Sequence, residues 1–486
     1  MLKIIPGDAH PLHDVAATRH LEDMAQADLP PNTLMQRAGL AVAHLALAIA
    51  PHARRIWLAC GPGNNGGDGL EAAVQLLRLG KSPEVSWLGN INSLPADTAA
   101  AYQRALNAGV CFSSEPGGNF DLYIDALLGI GARPTEPQGR MADWIQRLNT
   151  GAAPVLAVDI PSGLNADTGA VTQLHVRACH TLSLLTLKPG LFTAQGRDAS
   201  GVVWLDALGL QPSDSLAGST ASASLLPCPP ESARRHGSHK GTYGDVAIVG
   251  GAPGMTGGAL MAASAALHAG AGRVYVSLLD RDAPQVNGQQ PELMFRAVNE
   301  LDISHTTLVC GCGGGAAIHA CLSMLLSATA PMVIDADAIN AIATDTVLQS
   351  LVRLRATHQL NTVLTPHPLE AARLMGCSVA EIQHDRLKAA QTLSHQFACT
   401  VVLKGSGTVI AAPDQVLMIN PTGNARLATA GTGDVLAGMI GAYLAGGVSA
   451  HAAACHAVYR HGQIADDWPT NLALTAGQLA SRLSPI

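Results

Sequence analysis

RIWLACGPGNNGGDGLEAAVQLLRLG, residues 55–80, decides the fold of the first half of this chain. Its opening RIWLAC is an apolar run too short for a helix. It runs into a loop with glycines at 61, 63, 66, 67 and 69, and an amphipathic helical pattern follows at once. Strand, tight loop and helix in that order open a βαβ unit. In an open parallel sheet this loop is where ligands meet strand ends and helix N-termini. The glycines let the backbone approach a phosphate, and Asn64, Asn65 and Asp68 add polar groups at the rim. An ordinary glycine turn needs no such polar cluster, so a binding loop is the better reading.

The rhythm continues outward. DLYIDALLG (121–129) leads to MADWIQRLN (141–149), and PVLAVDIP (154–161) leads toward HTLSLLTL (180–187). Beyond a Ser-, Pro- and Ala-rich stretch at 211–235, apolar runs return at 245–251, 273–280, 306–312, 331–337, 361–367 and 401–407, each before a helix-compatible segment. A chain of 486 residues exceeds the size of one core, so two α/β domains are expected, 1–212 and 236–486, joined by a linker at 213–235. The 48% hydrophobic and 13% charged composition suits strands buried on both faces. A net charge of -7 provides no basic footprint for nucleic acid, which leaves a small-molecule partner. The apolar run 38–50 is too short to span a bilayer and is interrupted by His44, and the chain opens without a signal pattern. A cytoplasmic protein without membrane contact is expected. Cys310 and Cys312 lack the CxxC partners of a zinc site and read as reduced thiols. Alanine-rich helix faces suit a monomer interior or a subunit contact alike, and a homo-oligomer is the working expectation.

Polar residues recur where apolar runs close. Asp125 ends one, with Arg133 just beyond, and Asp159 and Ser162 end another. Each Asp alone reads as well as a cap or turn former. Strand ends of a parallel sheet converge, however, so Asn65, Asp125, Asp159 and Ser162 are candidates to face one ligand. In the second half, NARLATAGTGDVLAGMIGAYLAGG (424–447) sets Gly431–Asp434 where a loop enters a helix. Its N–H groups form an anion hole, and the helix end is expected to lower the Asp434 pKa and keep it ionised. VVLKGSGTVI (401–410) sets Lys404, Gly405, Ser406, Gly407 and Thr408 after a strand, as a loop for nucleotide phosphates. It is not a Walker A sequence.

At these residues the chain resembles known families. GPGNNGGDG, DALLGIG and VDIPSGLNADTG occur in the order found in the NAD(P)H-hydrate epimerase family, with LMQRAG (34–39) ending an early helix and Gln36 where an acidic residue is common. The resemblance implies a Rossmann-like αβα sandwich. It implies that Asn64, Asn65, Gly66, Gly67 and Asp68, together with Gly129, Ile130, Gly131, Ala132, Arg133, Pro134 and Thr135, bind hydrated NADH or NADPH. It places Asp159 beside the reacting ring and a K+ ion on Asn65, Asp125 and Ser162. A carboxylate close to the hydroxyl can exchange its proton, which makes Asp159 the acid/base candidate, while an Asp before Ile-Pro could instead orient the ring or ribose. GAPGMTGGALMAASAALHAGAGRV (251–274), DADAIN (335–340) and LTPHPLEAARL (364–374) resemble the NAD(P)H-hydrate dehydratase family. That likeness implies a ribokinase-like α/β domain in which Lys404 to Thr408 and Gly433 contact ADP. Gly258, His367 and Asp434 would contact the substrate, with Asp434 as general base and Mg2+ present. ADP is preferred over ATP by analogy only, and His367 read alone is a loop residue between prolines. CGCGGG (310–315) and NARLATAG (424–431) depart from the family's GPGLG-like and NPGMATGG-like loops.

The implied function is repair of hydrated NADH and NADPH, by epimerising the R and S hydrates and dehydrating the S form at the expense of ADP. NAD(P)H, AMP and phosphate are the products. The alternatives are a ribokinase-like kinase of a small alcohol or vitamin with a dinucleotide-binding first domain, and a regulatory scaffold that has lost activity.

Overall fold

The computed structural model describes residues 1–131, 135–210, 221–230 and 234–485. They form two compact units, Met1–Ile5 with His10–Ser224, and Pro6–Ala9 with Leu225–Ile486.

In the first unit an eight-stranded sheet is centred on Arg55–Cys60, flanked by Ser82–Trp87 and Leu122–Ala126 in parallel. Alternation along the central strand explains the layers. Ile56, Leu58 and Cys60 pack with Val42 and Leu45 of the helix Thr33–Ile49 and with Leu70 and Val74 of the helix Asn64–Arg78. Trp57 and Ala59 point the other way, onto Trp144, Ile145 and Leu148 of the helix Gly139–Thr150. Helices on both faces make the αβα sandwich expected of near-continuous apolar strands. From the central strand the chain first moves to Ser82–Trp87, then returns to Leu122–Ala126 on the opposite side. That reversal opens a crevice above Gly61 and Asp125, the topological switch point at which such sheets bind ligands.

Two readings change. The early helix does not end at Gly39: a helix begins at Thr33 and runs to Ile49. A Cβ at Gly39 would fall inside Glu71 of the neighbouring helix, so close helix contact offsets the roughly 1 kcal/mol that glycine costs a helix. Within the expected linker, Ala223–Leu225 forms a strand antiparallel to Pro11–Leu12, whereas 213–220 and 231–233 lie outside the described residues.

The second unit repeats the logic. Asp245–Gly250 lies between Arg273–Leu278 and Thr307–Cys310, all parallel, and the sheet continues through Met332–Ile334 and Thr362–Leu364 to Thr400–Leu403. Val409–Ala411 and Leu417–Ile419 then add antiparallel strands. The switch point lies between Asp245–Gly250 and Thr307–Cys310. Among the described residues no helix is long and apolar enough to cross a membrane.

The helices Thr256–His268 and Thr432–Ala445 touch at Gly438, where a Cβ would fall inside the Ala262 carbonyl. Gly438→Ala must therefore push apart the helix that carries Asp434. Urea unfolding is expected to register a loss of about 1–3 kcal/mol, and unchanged stability would mean that the backbones are not in contact there.

Candidate active sites

In the first unit a cleft of about 440 Å³ opens at the switch point, lined among others by Glu22, Asn64, Asp68, Gly129, Asp159 and Lys188. That volume lies in the range of small-molecule sites. The Gly61–Asp68 loop enters the helix Asn64–Arg78 here, and Gly66 allows the turn because a Cβ would strike the Gly61 carbonyl. Asn64 accepts a hydrogen bond from Thr98 Oγ1 at 3.1 Å. Gly129, Ile130 and Gly131 line the cleft, and Thr135 is exposed outside its lining. Ala132, Arg133 and Pro134 lie outside the described residues.

Beside the cleft, Asp125 is fully buried. Its Oδ1 accepts from Ser162 Oγ at 2.7 Å and from the Leu127 N–H at 3.1 Å, and Oδ2 accepts from the Ser162 N–H at 2.8 Å. Burial pushes its pKa up to about 6 against the pull of these donors. Asn65 is buried, yet neither its Oδ1 nor its Nδ2 has a protein partner. Asn65 packs at Gly129, where a notional Cβ would stand 3.0 Å from the Asn65 Cβ, next to Leu128, whose N–H donates to Ser162 Oγ at 2.9 Å. The free Asn65 oxygen, the Asp125 carboxylate and the Ser162 hydroxyl are oxygen donors of the kind a hard cation takes. The rim reading of Asn65 is thus corrected: it lies inside.

Asp159 sits just past the strand Val155–Val158 in a left-handed backbone conformation, φ 66°. Its Oδ1 accepts from Lys188 Nζ and from the Leu184 N–H at 3.2 Å. Burial, followed by the charges of Asp159, Glu22, Glu71 and Asp97, holds Asp68 well above the carboxylate range. Burial and Asp159 raise Glu22 as well.

In the second unit the predicted residues meet at the carboxyl ends of the strands. Lys404 Nζ lies 2.8 Å from Asp335 Oδ1 and 3.9 Å from Glu370 Oε2. Thr365 Oγ1 also donates to Asp335 Oδ1, at 2.7 Å. Ligand atoms of Cys312, Asp335 and Asp434 all lie within 4.8 Å of one another. A Cβ on Gly433 would stand 3.4 Å from Lys404 Nζ, so the ammonium faces the N-terminus of the helix Thr432–Ala445. Arg386, buried, donates to the carbonyls of Leu403 and Lys404 at 3.1 Å each and fixes the start of the 404–408 loop. Gly405 continues that loop at φ +135°, where a Cβ would lie 2.9 Å from Arg386 Nη1. Thr408 Oγ1 donates to the Gly405 carbonyl at 3.0 Å. Gly258 lies against the loop 310–315, with a notional Cβ 3.0 Å from the Gly313 nitrogen.

Two expectations are corrected here. Asp434 is the third residue of its helix, whose cap is Gly431, and burial with the charge of Asp335 pushes its pKa up to about 6. The helix end does not outweigh those two effects. His367 is no free loop residue but the N-cap of the helix Pro368–Met375, its Nδ1 accepting from the N–H groups of Leu369 and Glu370 at 3.1 and 3.2 Å. That leaves the ring proton on Nε2, 3.1 Å from Glu370 Oε1.

The chain matches two family models, YjeF-related protein N-terminus over residues 31–190 and NAD(P)H-hydrate dehydratase over residues 246–486. It is 39% identical to the bifunctional NAD(P)H-hydrate repair enzyme of Escherichia coli (strain K12), over 93% of this chain and 87% of that one. The chain belongs to the bifunctional NAD(P)H-hydrate repair enzyme family. A Coxiella burnetii relative of the same description is 36% identical over 92% of this chain and 93% of its own. The ADP-dependent (S)-NAD(P)H-hydrate dehydratase of Neisseria meningitidis serogroup B is 42% identical, covering 52% of this chain and 86% of its own.

Within this family frame, Lys188, Glu22, Asp335, Glu370 and Cys312 are site groups that motif reading passed over. Lys188 had a signal, a lone charge closing the apolar run HTLSLLTL. Glu370 had another, three residues past His367 in capping-box spacing. Asp335 had one too, as the first residue of DADAIN at the close of an apolar run, whereas Glu22 comes into its site only through tertiary packing.

The raised Asp434 pKa has a consequence for stability. Relative to an ordinary value of 3.8, a folded value of about 6 means that the native state holds this proton more tightly. The stability it contributes is present below about pH 4 and lost as pH rises through 6. Asp434→Asn is therefore expected to be more stable than the parent above pH 6, by up to about 3 kcal/mol, with the difference closing below pH 4 in urea titrations. A constant difference across that range would contradict the burial of the charged carboxylate.

Proposed function

We propose that this chain restores NADH and NADPH from their hydrates, with epimerisation in residues 1–212 and ADP-dependent dehydration in residues 236–486. The observation that carries the reading is the meeting of Lys404, Gly433 and Asp434 at one helix N-terminus, in a chain whose other half has a separate cleft around Asp159. A small-alcohol kinase would have no use for that first cleft, and a scaffold would have no use for buried reactive carboxylates. The proposed place of work is the cytoplasm. A homo-oligomer is proposed on its alanine-rich helix faces, to be checked by light scattering.

In the first unit the loops 64–68 and 129–135 hold the hydrated dinucleotide and Asp159 faces its ring. The hydrate is a carbinolamine: the C–O bond opens to an iminium, and water re-adds from the other side. Asp159 supplies the proton that the departing hydroxyl gains and takes up the one that the incoming water sheds. Asn65, Asp125 and Ser162 would hold K+, supported by the unpartnered buried Asn65 oxygen and by the buried Asp125–Ser162 pair. K+ would supply fixed positive charge at the strand ends. Asn65→Leu is expected to abolish any rise in Tm on exchanging choline for K+, while the parent retains it; an unaltered K+ response would remove Asn65 from the ligand set.

In the second unit the 404–408 loop and Gly433 hold ADP, while Gly258 and His367 border the substrate. Lys404 occupies Asp335 Oδ1, and the Cys312 thiol lies 3.8 Å from Oδ2. This is a poor all-protein cage for Mg2+, which would be held chiefly by the phosphates of ADP and would neutralise their charge. Hydroxide is a poor leaving group, so Asp434 takes the hydroxyl proton as the terminal phosphoryl group of ADP transfers to the substrate oxygen. The ring nitrogen then expels phosphate, loss of the adjacent ring proton restores the dihydronicotinamide, and AMP remains. Helix N–H groups stabilise the charge on the phosphoryl oxygens.

The test mixes the protein with separate R and S hydrates, with and without ADP, and follows dihydronicotinamide absorbance. A kinase would stop at a stable phosphoester. Asp434→Asn is expected to lose roughly 10²- to 10⁴-fold in ADP-dependent dehydration and to retain epimerisation. In the parent, the dehydration rate should rise through about pH 6, where Asp434 ionises, and level off above it. Near-normal dehydration by the mutant would end the general-base assignment.

A further inference from the structure

Lys188 belongs to none of the groups to which a role has been given, yet it is fully buried against the first cleft. The residue before a proline is pushed into extended conformation, and Lys188 obeys, with φ -104° and ψ 139° before Pro189. Its ammonium donates to Asp159 Oδ1, to the Leu184 carbonyl at 2.7 Å and to Ser183 Oγ at 3.3 Å. A lysine has three N–H donors, so these acceptors use them all and none remains for a ligand. On the other side of the pair, Asp159 Oδ1 is engaged by Lys188 and the Leu184 N–H. Among the described residues no donor is bonded to Oδ2, and Asp159 lines the cleft.

We infer that Lys188 is a positioning residue for epimerisation: its ammonium pins Asp159 Oδ1 and leaves Oδ2 turned to the ring hydroxyl. This rests on the acid/base reading of Asp159. The left-handed backbone at Asp159 is a conformation that its surroundings must enforce, and the ion pair to Lys188 together with the hydrogen bond from the Leu184 N–H holds its side chain there.

Other charged groups surround the pair. Glu22 comes from the helix Val15–Ala27, Asp68 and Glu71 from the helix Asn64–Arg78, and Asp97 from the helix Ala96–Ala108. Burial, and then the charges of Asp159 and the other acids, raise Asp68, whereas burial, Asp159 and Asp23 raise Glu22; Glu71 is paired with Arg104. Arg19 lines the same cleft and acts on Glu22, while burial disfavours the cationic form of His13. Lys188 is the cation bonded to Asp159 itself. Without it, only the Leu184 N–H would hold Oδ1, and Oδ2 would no longer be fixed toward the cleft.

The experiment compares Lys188→Gln, which keeps a donor toward Asp159 but no charge, with Lys188→Arg, which keeps the charge. Epimerisation of pure R hydrate is followed across pH, and dehydration of S hydrate with ADP reports the amount of folded protein. For Lys188→Gln a rate at least tenfold lower at neutral pH is expected, with the acidic limb moved up by a pH unit or more. Lys188→Arg should keep the limb in place. A Gln variant whose limb coincides with the parent's overturns the inference, whatever its amplitude, because a packing role alone would lower the rate without moving the profile. Asp159→Asn is run alongside. If it epimerises normally, the acid/base reading fails first; if it is inactive while Lys188→Gln keeps the parent profile, only the role of Lys188 fails.

Discussion

Taking a carboxylate out of water costs several kcal/mol unless fixed donors or a counter-charge replace the lost hydration. Both units are built around carboxylates placed at the ends of parallel strands, and they meet the cost in different ways. Asp125 is bonded by the hydroxyl and N–H of Ser162 and by the N–H of Leu127. Asp159 and Asp335 each have a lysine, Lys188 and Lys404. Burial still raises Asp125 and Asp434 to about 6 and Asp68 well above the carboxylate range. What distinguishes the two groups held near 6 is position: Asp125 is fixed by three donors at a strand end, whereas Asp434 stands in the first turn of a helix that Lys404 faces.

The sheets place these groups. In each unit the first strand of the parallel core is flanked by strands reached in opposite directions, so the loops after it and after its later neighbour open a crevice. Gly61 and Asp125 border one crevice, and Gly250 and Cys310 the other. Close-packed glycines let helix ends reach these crevices. Gly39 admits Glu71 in the first unit, and Gly438 admits Ala262 in the second. Glycine-rich composition in this chain is therefore a means of bringing helix N-termini and backbone N–H groups close to a phosphorylated ligand.

Much of this was legible in the sequence. RIWLAC before five glycines and a helical pattern announced the strand, loop and helix of the first site, and KGSGT and GTGD marked the two loops that the fold brings together in the second. Their meeting needed the sheet order, since 29 positions separate Lys404 from Gly433. What could not be read is electrostatic or long-range. A helix end next to Asp434 suggested a lowered pKa, but only the fold reveals Asp335 beside it and the depth of burial. Lys188 and Asp159 are likewise 29 positions apart, and the left-handed backbone that aims Asp159 has no local sequence mark. His367 looked like a loop because prolines flank it. Pro368 instead opens a helix, for which a missing N–H is no loss, and His367 caps it.

The most direct test of the account is the fate of the hydroxyl oxygen. If the Lys404 and Asp434 site transfers phosphate from ADP to that oxygen before elimination, the C–O bond breaks with the oxygen attached to phosphorus. Hydrate prepared with a heavy-oxygen label in its hydroxyl should then yield inorganic phosphate carrying one labelled oxygen, with AMP and solvent water unlabelled. Label appearing in water, with phosphate unlabelled, would mean that the hydroxyl leaves without being phosphorylated and would contradict the account.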